Sequence, residues 1–306
     1  MLSKSTHNFT AQTPPDAGND GHKAKPGIGA EWRTGRFSWA VDAEAPVVVM
    51  GIVNVTPDSF SDGGQHNSTK SALIHAERLV AEGAHILDVG GESTRPGAAA
   101  VSVDQEIARV LPVIIALVEK GYCVSVDTRK PRVMREALKA GASIVNDVMA
   151  LTAAGAIEAC AASNCGVVFM HMRGSPETMQ VEPHYDDVIG EVGDYLVARA
   201  QACEAAGIAS DRIVLDPGFG FGKTLQHNLT LTQNLDALVA RGYPVLAGWS
   251  RKKTIGTLTG RDVPAERVYG SVAAALACVA QGARVVRVHD VGATVDALKV
   301  WRAMAG

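Results

Sequence analysis

Polar side chains recur at one end of eight short apolar segments of this sequence. Each segment ends in, or is followed by, a group that can hydrogen-bond or carry charge, while the opposite flank of most segments is plain and rich in glycine. If the segments are parallel strands, their polar ends meet at one edge and form a site. These strand-end residues are Asn54, Glu92, Ser93, Thr94, Arg95, Asp127, Asn146, Asp147, His171, Asp216, Ser250, Arg251, Lys252, Arg287 and His289.

The chemistry of these strand ends is mixed. Carboxylates and an amide suit a flat ligand with several N–H donors, such as an aminopyrimidine. Neighbouring cations and donors suit a phosphate. The composite ligand is a nitrogen heterocycle that carries an anionic group. A lone aspartate is more often a helix cap than a ligand, and Asp147 and Asp290 are candidate caps. The acceptors are Asp127, Asn146 and Asp216, and the donors are Lys252, Arg287 and His289.

The elements that must position these residues predict an α/β protein, an eight-stranded parallel (β/α)8 TIM barrel. The apolar segments are too short for helices and lack strict alternation, as expected of parallel strands buried on both faces. Amphipathic helices are predicted at 71–83 and 104–121, each ending at glycine. Eight units without a spare strand favour a closed barrel, with an open sheet as the alternative. The predicted strands are 47–55, 85–91, 122–128, 143–148, 166–172, 212–218, 244–250 and 284–291.

The 306-residue chain predicts one barrel domain, residues 31–306, after a flexible tail, residues 1–30, which has no apolar periodicity. The net charge of −3 argues against partners such as nucleic acid or an anionic membrane surface. Five scattered cysteines without a C-x-x-C pair, and the lack of a signal-like or membrane-spanning segment, indicate a cytoplasmic enzyme.

Two long polar loops follow the first two predicted strands, at 56–69 and 92–103. Glycine- and serine-rich loops at this end of a barrel usually serve as mobile covers. Phe60 and Arg95 have no evident structural role there, which favours function over surface decoration. Asp62 and Arg95 carry opposite charges, and we expect them to pair over the site.

Two further patterns resemble known sites without completing them. The segment 216–224 ends in GKT like a P-loop, but a P-loop requires glycine where Pro217 stands. A metal centre, as in barrel hydrolases, would need the H-x-H pattern that the first predicted strand lacks. The residues that such a centre would use are Asp127, His171, Asp216 and His289.

Longer strings in the sequence resemble the dihydropteroate synthase family, over about residues 47–301 and in the family's order. Trp249 and Arg173 are small departures that leave the motif residues intact. NVTPDSFSDGG and GESTRPG are long and specific, whereas SVDT and NDV alone would be weak. The matching strings are MGIVNVTPDSFSDGG (50–64), DVGGESTRPGA (88–98), SVDT (125–128), IVNDV (144–148), MHMRGSPETMQ (170–180), DPGFGFGKT (216–224), SRKKTIG (250–256) and RVHDV (287–291).

The resemblance implies a transferase of folate biosynthesis and a sulfonamide target. Such an enzyme would condense hydroxymethyl-dihydropterin diphosphate with 4-aminobenzoate to give dihydropteroate and diphosphate. The C–O bond at the pterin methylene would break with positive charge developing on that carbon. Asn54 would be the protein ligand of a Mg²⁺ ion bridging the diphosphate. The implied pterin residues are Asp127, Asn146, Asp216 and Lys252; the diphosphate residues are Asn54, Thr94, Arg287 and His289; the aminobenzoate and loop residues are Phe60, Asp62, Thr94, Arg95, Pro96, Phe221 and Ser250; and the catalytic residues are Asp127, Lys252, Arg287 and His289.

The sequence alone leaves two other functions open. A pterin-binding methyltransferase with a corrinoid partner would explain the acceptors but not the STRPG and SRK strings. A non-catalytic paralogue would not need the intact set of charged residues. The family is commonly dimeric through its late helices, and the small-residue segment 269–282 suits close packing in a homodimer.

Overall fold

The computed structural model describes residues 31–55, 64–93, 100–174 and 178–305, except for the side chains of residues 64–67 and 305. Short strands alternate with helices along this part of the chain. The strands are β1 (Glu31–Thr34), β2 (Phe37–Ala40), β3 (Val48–Asn54), β4 (Ile86–Gly90), β5 (Val124–Asp127), β6 (Ile144–Asp147), β7 (Gly166–Met170), β8 (Ile213–Asp216), β9 (Leu246–Ala247) and β10 (Val285–Val288). The helices are α1 (Gly64–Ala81), α2 (Val103–Glu119), α3 (Pro131–Lys139), α4 (Ala156–Ala161), α5 (Val188–Ala205), α6 (Leu225–Gln233), α7 (Leu235–Val239), α8 (Lys253–Thr259), α9 (Val268–Ala280) and α10 (Val291–Ala305).

The predicted barrel is confirmed. Within the described residues, eight parallel strands pair in the order β8-β7-β6-β5-β4-β3-β10-β9. A single bridge between Leu215 and Val245 joins the two ends of this series and nearly closes the barrel. The backbone N–H of Leu215 also donates to the carbonyl of Pro244 at 2.9 Å. The open-sheet alternative is therefore wrong.

The expectation of no spare strand is also wrong. Strands β1 and β2 form an antiparallel hairpin at the amino-terminal end of the barrel. Trp32 is fully buried in the interior cluster with apolar residues of the barrel strands, and its indole donates to the carbonyl of Arg212 at 3.1 Å. The hairpin therefore closes the end opposite to the polar strand ends, where an open barrel would expose apolar side chains to water.

Helix α1 begins at Gly64 rather than near residue 71, so part of the predicted first loop is helical. Its early residues are polar, and apolar periodicity starts only where the helix reaches the barrel, which explains the late predicted start. Helix α2 begins close to its predicted start, in a capping box. Ser102 accepts from the N–H of Gln105 at 3.2 Å, and the Gln105 side chain accepts from the N–H of Ser102 at 3.1 Å.

Among the described helices, none is by itself long and apolar enough to cross a membrane. The bent pair Lys253–Thr259 and Pro264–Ala280 meets the length and composition requirement only when its two parts are taken together across a 76° bend.

Candidate active site

Strand register gathers the predicted strand-end residues at the carboxyl end of the barrel. Asn54 on β3 is the partner of Gly90 on β4, Gly90 is the partner of Asp127 on β5, and Asp127 is the partner of Asn146 on β6. On the other side, Asp216 on β8 is the partner of Met170 on β7. Acceptors from separate strands therefore lie at one edge, as the sequence predicts.

Arg287 bridges two carboxylates at the centre of this edge. Its Nε donates to Oδ2 of Asp88 at 2.6 Å, and its Nη2 donates to Oδ2 of Asp127 at 2.6 Å. The Arg287 side chain keeps 22% exposure, whereas that of Asp88 has none. Two edges of the guanidinium are thus occupied by protein, and only the remainder can reach a ligand.

Asp88 is a site residue that the sequence reasoning missed. Besides Arg287, its Oδ2 accepts from Nδ2 of Asn146 at 3.1 Å. This bond orients the Asn146 amide, whose carbonyl oxygen can then accept from a ligand. The second oxygen, Oδ1, is buried and has no partner among the described residues. One carboxylate oxygen therefore positions two of the predicted site residues.

Burial raises the pKa of Asp127, and the carboxylate of Asp88 adds to the rise, although Arg287 opposes it. For Arg287, burial disfavours the charge, but the two carboxylates outweigh it and raise its pKa. The cluster therefore holds one fixed positive charge beside a carboxylate that takes up a proton more readily than an ordinary aspartate.

Asp216 and Lys252 form a second part of the site. Oδ1 of Asp216 accepts from the N–H of Gly218 at 2.7 Å, and burial raises the pKa of this carboxyl. Burial lowers the pKa of Lys252 to about 8, although Asp216 partly restores it. Lys252 donates to the carbonyl of Phe219 and lies 4.5 Å from the ring centre of Phe221.

The glycines after β8 let the backbone pass close to its neighbours. Gly218 has φ of +69°, and a Cβ atom there would lie 2.0 Å from the carbonyl oxygen of His171. Gly220 has φ of +78° and lies against the Lys252 side chain. Trp249 is buried and packs on Phe219, with ring centres 4.9 Å apart, so it lies beneath the site rather than on its rim.

Lys223 is a second residue that the sequence reasoning missed. It is 3% exposed, and its Nζ lies 3.0 Å from Nδ1 of His171, 3.3 Å from the His171 carbonyl oxygen and 3.0 Å from that of Phe221. Burial lowers the pKa of Lys223 to about 7 and that of His171 to about 3. His171 is thus a neutral acceptor that ties two loops together. The described residues contain no cluster of three or more metal-binding side chains around it.

Ser250 and His289 lie next to each other where β9 and β10 end. Oγ of Ser250 is 3.0 Å from Nδ1 of His289 and accepts from the His289 N–H at 3.0 Å. A cleft of about 220 Å³ opens beside His289. The cleft is lined by positively and negatively charged side chains and by the first residues of α10. The lining residues are Arg78, Glu82, Arg251, Val268, His289, Asp290, Gly292 and Ala293.

The two predicted caps differ. Asp147 accepts from the N–H groups of Met149 and Leu151, each at 2.8 Å, and so caps the turn after β6 rather than a helix, because the next helix, α4, has Gly155 at its N-cap. The carboxylate of Asp290 instead forms a two-pronged ion pair with Arg251. Asp290 directly precedes α10, and a cap role for its side chain stays a prediction.

The loop residues lie outside the described part of the chain. The structure does describe both ends of the second loop. Oε1 of Glu92 accepts from the N–H of Val101 at 3.0 Å, and Lys130 donates to the Val101 carbonyl at 2.7 Å and forms ion pairs with Glu92 and Glu106. These contacts tie the two ends of the second loop to the start of α3. The predicted residues outside the described ranges are Phe60, Asp62, Thr94, Arg95 and Pro96.

Comparison with known proteins gives a consistent result. The family model described as pterin binding enzyme matches residues 50–289. A dihydropteroate synthase of Neisseria meningitidis serogroup B is 56% identical over 279 residues, which cover 89% of this chain and 97% of the relative.

Two solved structures agree in fold. The dihydropteroate synthase of Xanthomonas albilineans with 4-aminobenzoic acid is 53% identical, with a TM-score of 0.82 over 88% of this chain and 96% of that one. The enzyme of Burkholderia cenocepacia complexed with 7,8-dihydropteroate is 49% identical, with a TM-score of 0.82 over 90% and 96%. These relatives favour the synthase over the corrinoid-dependent methyltransferase. The chain belongs to the dihydropteroate synthase family, transferases that join hydroxymethyl-dihydropterin diphosphate to 4-aminobenzoate in folate biosynthesis.

Proposed function

We propose that the chain carries out its family's reaction at the carboxyl end of the barrel, where Arg287 joins Asp88 to Asp127. This cluster supports the proposal most directly, because it combines acceptors for a nitrogen heterocycle with a cation for its anionic group. In the proposed site, the pterin donates N–H groups to Asp127, Asp216 and the Asn146 carbonyl, while Lys252 donates to a pterin acceptor.

The proposed chemistry is substitution at the pterin methylene. The C–O bond to the diphosphate breaks, the arylamine nitrogen forms the new C–N bond, and the nitrogen then loses its proton. The arylamine is neutral at pH 7, so the step needs no strong base. His289 and the free edge of Arg287 would bind the departing diphosphate, and Asp127 would stabilise positive charge at the methylene.

Asn54 is the proposed Mg²⁺ ligand. It ends β3 with its side chain exposed, and an amide oxygen suits a hard cation that keeps waters and takes phosphate oxygens as its other ligands. When bound, the ion would neutralise charge on the leaving diphosphate.

The aminobenzoate site is proposed to lie between the 216–224 segment and the two polar loops. Phe221, with Lys252 over its ring, offers one apolar wall, and Ser250 offers a hydroxyl beside His289. Closure of the loops would exclude water, which competes with the arylamine for the pterin cation. The loop residues that we assign to this closure and to the aminobenzoate site are Phe60, Asp62, Thr94, Arg95 and Pro96, with Thr94 also near the diphosphate.

The proposed reaction is tested by mixing the purified chain with pterin diphosphate, 4-aminobenzoate and Mg²⁺ and measuring diphosphate and dihydropteroate. We expect both products in equal amounts. A sulfonamide should compete with 4-aminobenzoate, because it also carries an arylamine para to an anionic group. Diphosphate without dihydropteroate, or inhibition that 4-aminobenzoate does not relieve, would contradict the proposal.

Pterin binding should depend on pH in a bell-shaped manner. Burial raises the pKa of Asp127 and Asp216, so both carboxylates take up protons at a higher pH than an ordinary aspartate does. A protonated carboxyl is a poorer acceptor for the pterin, so affinity falls on the acid side. Burial lowers the pKa of Lys252 to about 8, so this cation is lost as the pH rises through that value. Calorimetric titration of a pterin from pH 5 to 9 measures both limbs. Affinity that stays flat over this range would contradict the assignment.

We also propose a homodimer through α9 and α10. Helix α9 presents Tyr269, Ala273 and Ala277 outward at four-residue spacing, and Tyr269 is 89% exposed. On the neighbouring α10, Trp301 and Met304 are exposed as well. Exposed apolar residues on two neighbouring helices suit contact with a second copy of the chain.

Charge placed on this face should separate the protomers. We expect Ala277→Glu to convert the dimer to a monomer in analytical ultracentrifugation, because the close helix packing leaves no room or solvent for a carboxylate. Ile74→Glu, which alters an exposed apolar residue of α1, is the matched control and should remain dimeric. A wild-type chain that sediments as a monomer would refute the dimer.

For the whole chain, we propose a single barrel domain at 31–306 after a tail at 1–30, working in the cytoplasm. Five buried cysteines, all with free thiols, suit a reducing compartment.

A further inference from the structure

Arg251 has a backbone conformation that side chains rarely adopt. It lies between Ser250 and Lys252, two of the proposed site residues, and its φ is +58°. The N–H of Lys252 donates to the carbonyl of Trp249 at 3.2 Å, so Arg251 occupies the left-handed position of a tight turn. Glycine is the usual residue there, because a Cβ atom is crowded in this region. Such a conformation persists only where the surroundings hold it.

The backbone of Arg251 is held from the start of α9. Its N–H donates to Oγ of Ser271 at 2.9 Å, and its carbonyl accepts from Nη1 of Arg267 at 2.9 Å. Oγ of Ser271 in turn donates to the Arg267 carbonyl at 2.6 Å. Both backbone polar groups of the turn residue are therefore fixed, one by Ser271 of α9 and one by Arg267, which directly precedes that helix.

The side chain of Arg251 is held by Asp290, which lies between β10 and α10. Its Nε donates to Oδ2 of Asp290 at 2.9 Å, and its Nη2 donates to Oδ1 of the same carboxylate. The Asp290 side chain is 13% exposed, so this two-pronged pair is partly protected from solvent. Asp290 directly follows His289, and the pair therefore joins the loop after β9 to the loop after β10.

We infer that Arg251 is a positioning residue for the synthase reaction. The strained turn directs Ser250 toward His289, and Lys252 toward Phe219 and Phe221. The ion pair with Asp290 fixes the position of the loop after β9 relative to the loop after β10. Arg251 contacts neither substrate in this assignment. The inference rests on the proposed function, because it assumes that Ser250, Lys252 and His289 form the site.

The test compares Arg251→Ala, Asp290→Ala and the double variant in steady-state kinetics, each corrected for folded protein by circular dichroism. We expect each single variant to lower kcat/KM by ten- to a hundred-fold, through a higher KM for both substrates, because small misplacements of binding groups are costly. The double variant should lose little more than either single one. Arg251→Gly should recover part of the Arg251→Ala loss, because glycine accepts the left-handed turn without strain.

The control is a similar ion pair at the opposite end of the barrel, where Arg33 binds Asp211 through Nε at 2.7 Å and through Nη2 at 3.1 Å. Arg33→Ala should keep wild-type kinetics. Wild-type KM values in folded Arg251→Ala, additive losses in the double variant, or equal losses in Arg33→Ala would each overturn the inference. An inactive wild-type chain would contradict the proposed function, and the inference with it.

Discussion

The Asp127→Asn variant is expected to bind the pterin substrate about ten- to a hundred-fold more weakly than the wild type, while keeping its fold. A charge-assisted hydrogen bond contributes about 1.5–3 kcal/mol, and the neutral amide offers an N–H donor where the pterin needs an acceptor. Arg287 retains Asp88 as its partner, so the cation is not left without a carboxylate. Relief of repulsion between Asp88 and Asp127 further protects the fold.

Isothermal calorimetry with a pterin ligand measures this loss. The matched control is Asp104→Asn, which neutralises an exposed aspartate paired with Arg132 and should bind the pterin normally. Unchanged pterin affinity in folded Asp127→Asn would remove Asp127 from the pocket.

The Asp88→Ala variant is expected to lose kcat/KM by roughly a hundred-fold, although Asp88 does not contact substrate in our assignment. The change leaves Nε of Arg287 and Nδ2 of Asn146 without the oxygen that holds them. Both bonds end on a carboxylate, and a hydrogen bond to a charged group contributes about 1.5–3 kcal/mol, which the reoriented side chains would recover only in part. We therefore expect both the pterin and the diphosphate contacts to weaken.

A pH shift separates this role from a loss of stability. The carboxylate of Asp88 raises the pKa of Asp127, so its removal should move the acid limb of pterin binding to lower pH. Ser125→Ala is the matched control, because Ser125 is the Asp88 partner on β5, is equally buried and has a hydroxyl without a partner among the described residues. An acid limb that does not move in Asp88→Ala would contradict the positioning role.

Much of the site could be predicted because it lies at strand ends. Asp127, Asn146 and Asp216 are the polar residues that close apolar runs, and parallel pairing necessarily brings such ends together. Asp88 was missed because it lies in the middle of its run, where a buried carboxylate is unexpected. Inward alternation could have identified it, since it is two residues before Gly90 and therefore faces the same interior.

Other features depend on distances that no sequence pattern contains. Arg287 pairs with Asp88 and Asp127, and these three residues lie on three strands that are far apart in the chain. The hairpin at Trp32 did have a signal, because Trp32 and Thr34 alternate before Gly35, but its burial under the barrel is a tertiary effect. Lys223 was considered only as part of an incomplete P-loop, so its role as a buried link to His171 was overlooked.

The barrel seam between β8 and β9 is held by the Leu215–Val245 bridge, and β9 itself is only two residues long. Local unfolding begins where the fewest backbone hydrogen bonds must break. Asp216 directly follows the bridge on the β8 side, and Lys252 follows β9 on the other side. A pterin bound by both residues would therefore hold β8 and β9 together where their pairing is shortest. Ligand binding should therefore slow amide hydrogen exchange at Leu215 more than on β4 and β5, whose ladders are longer.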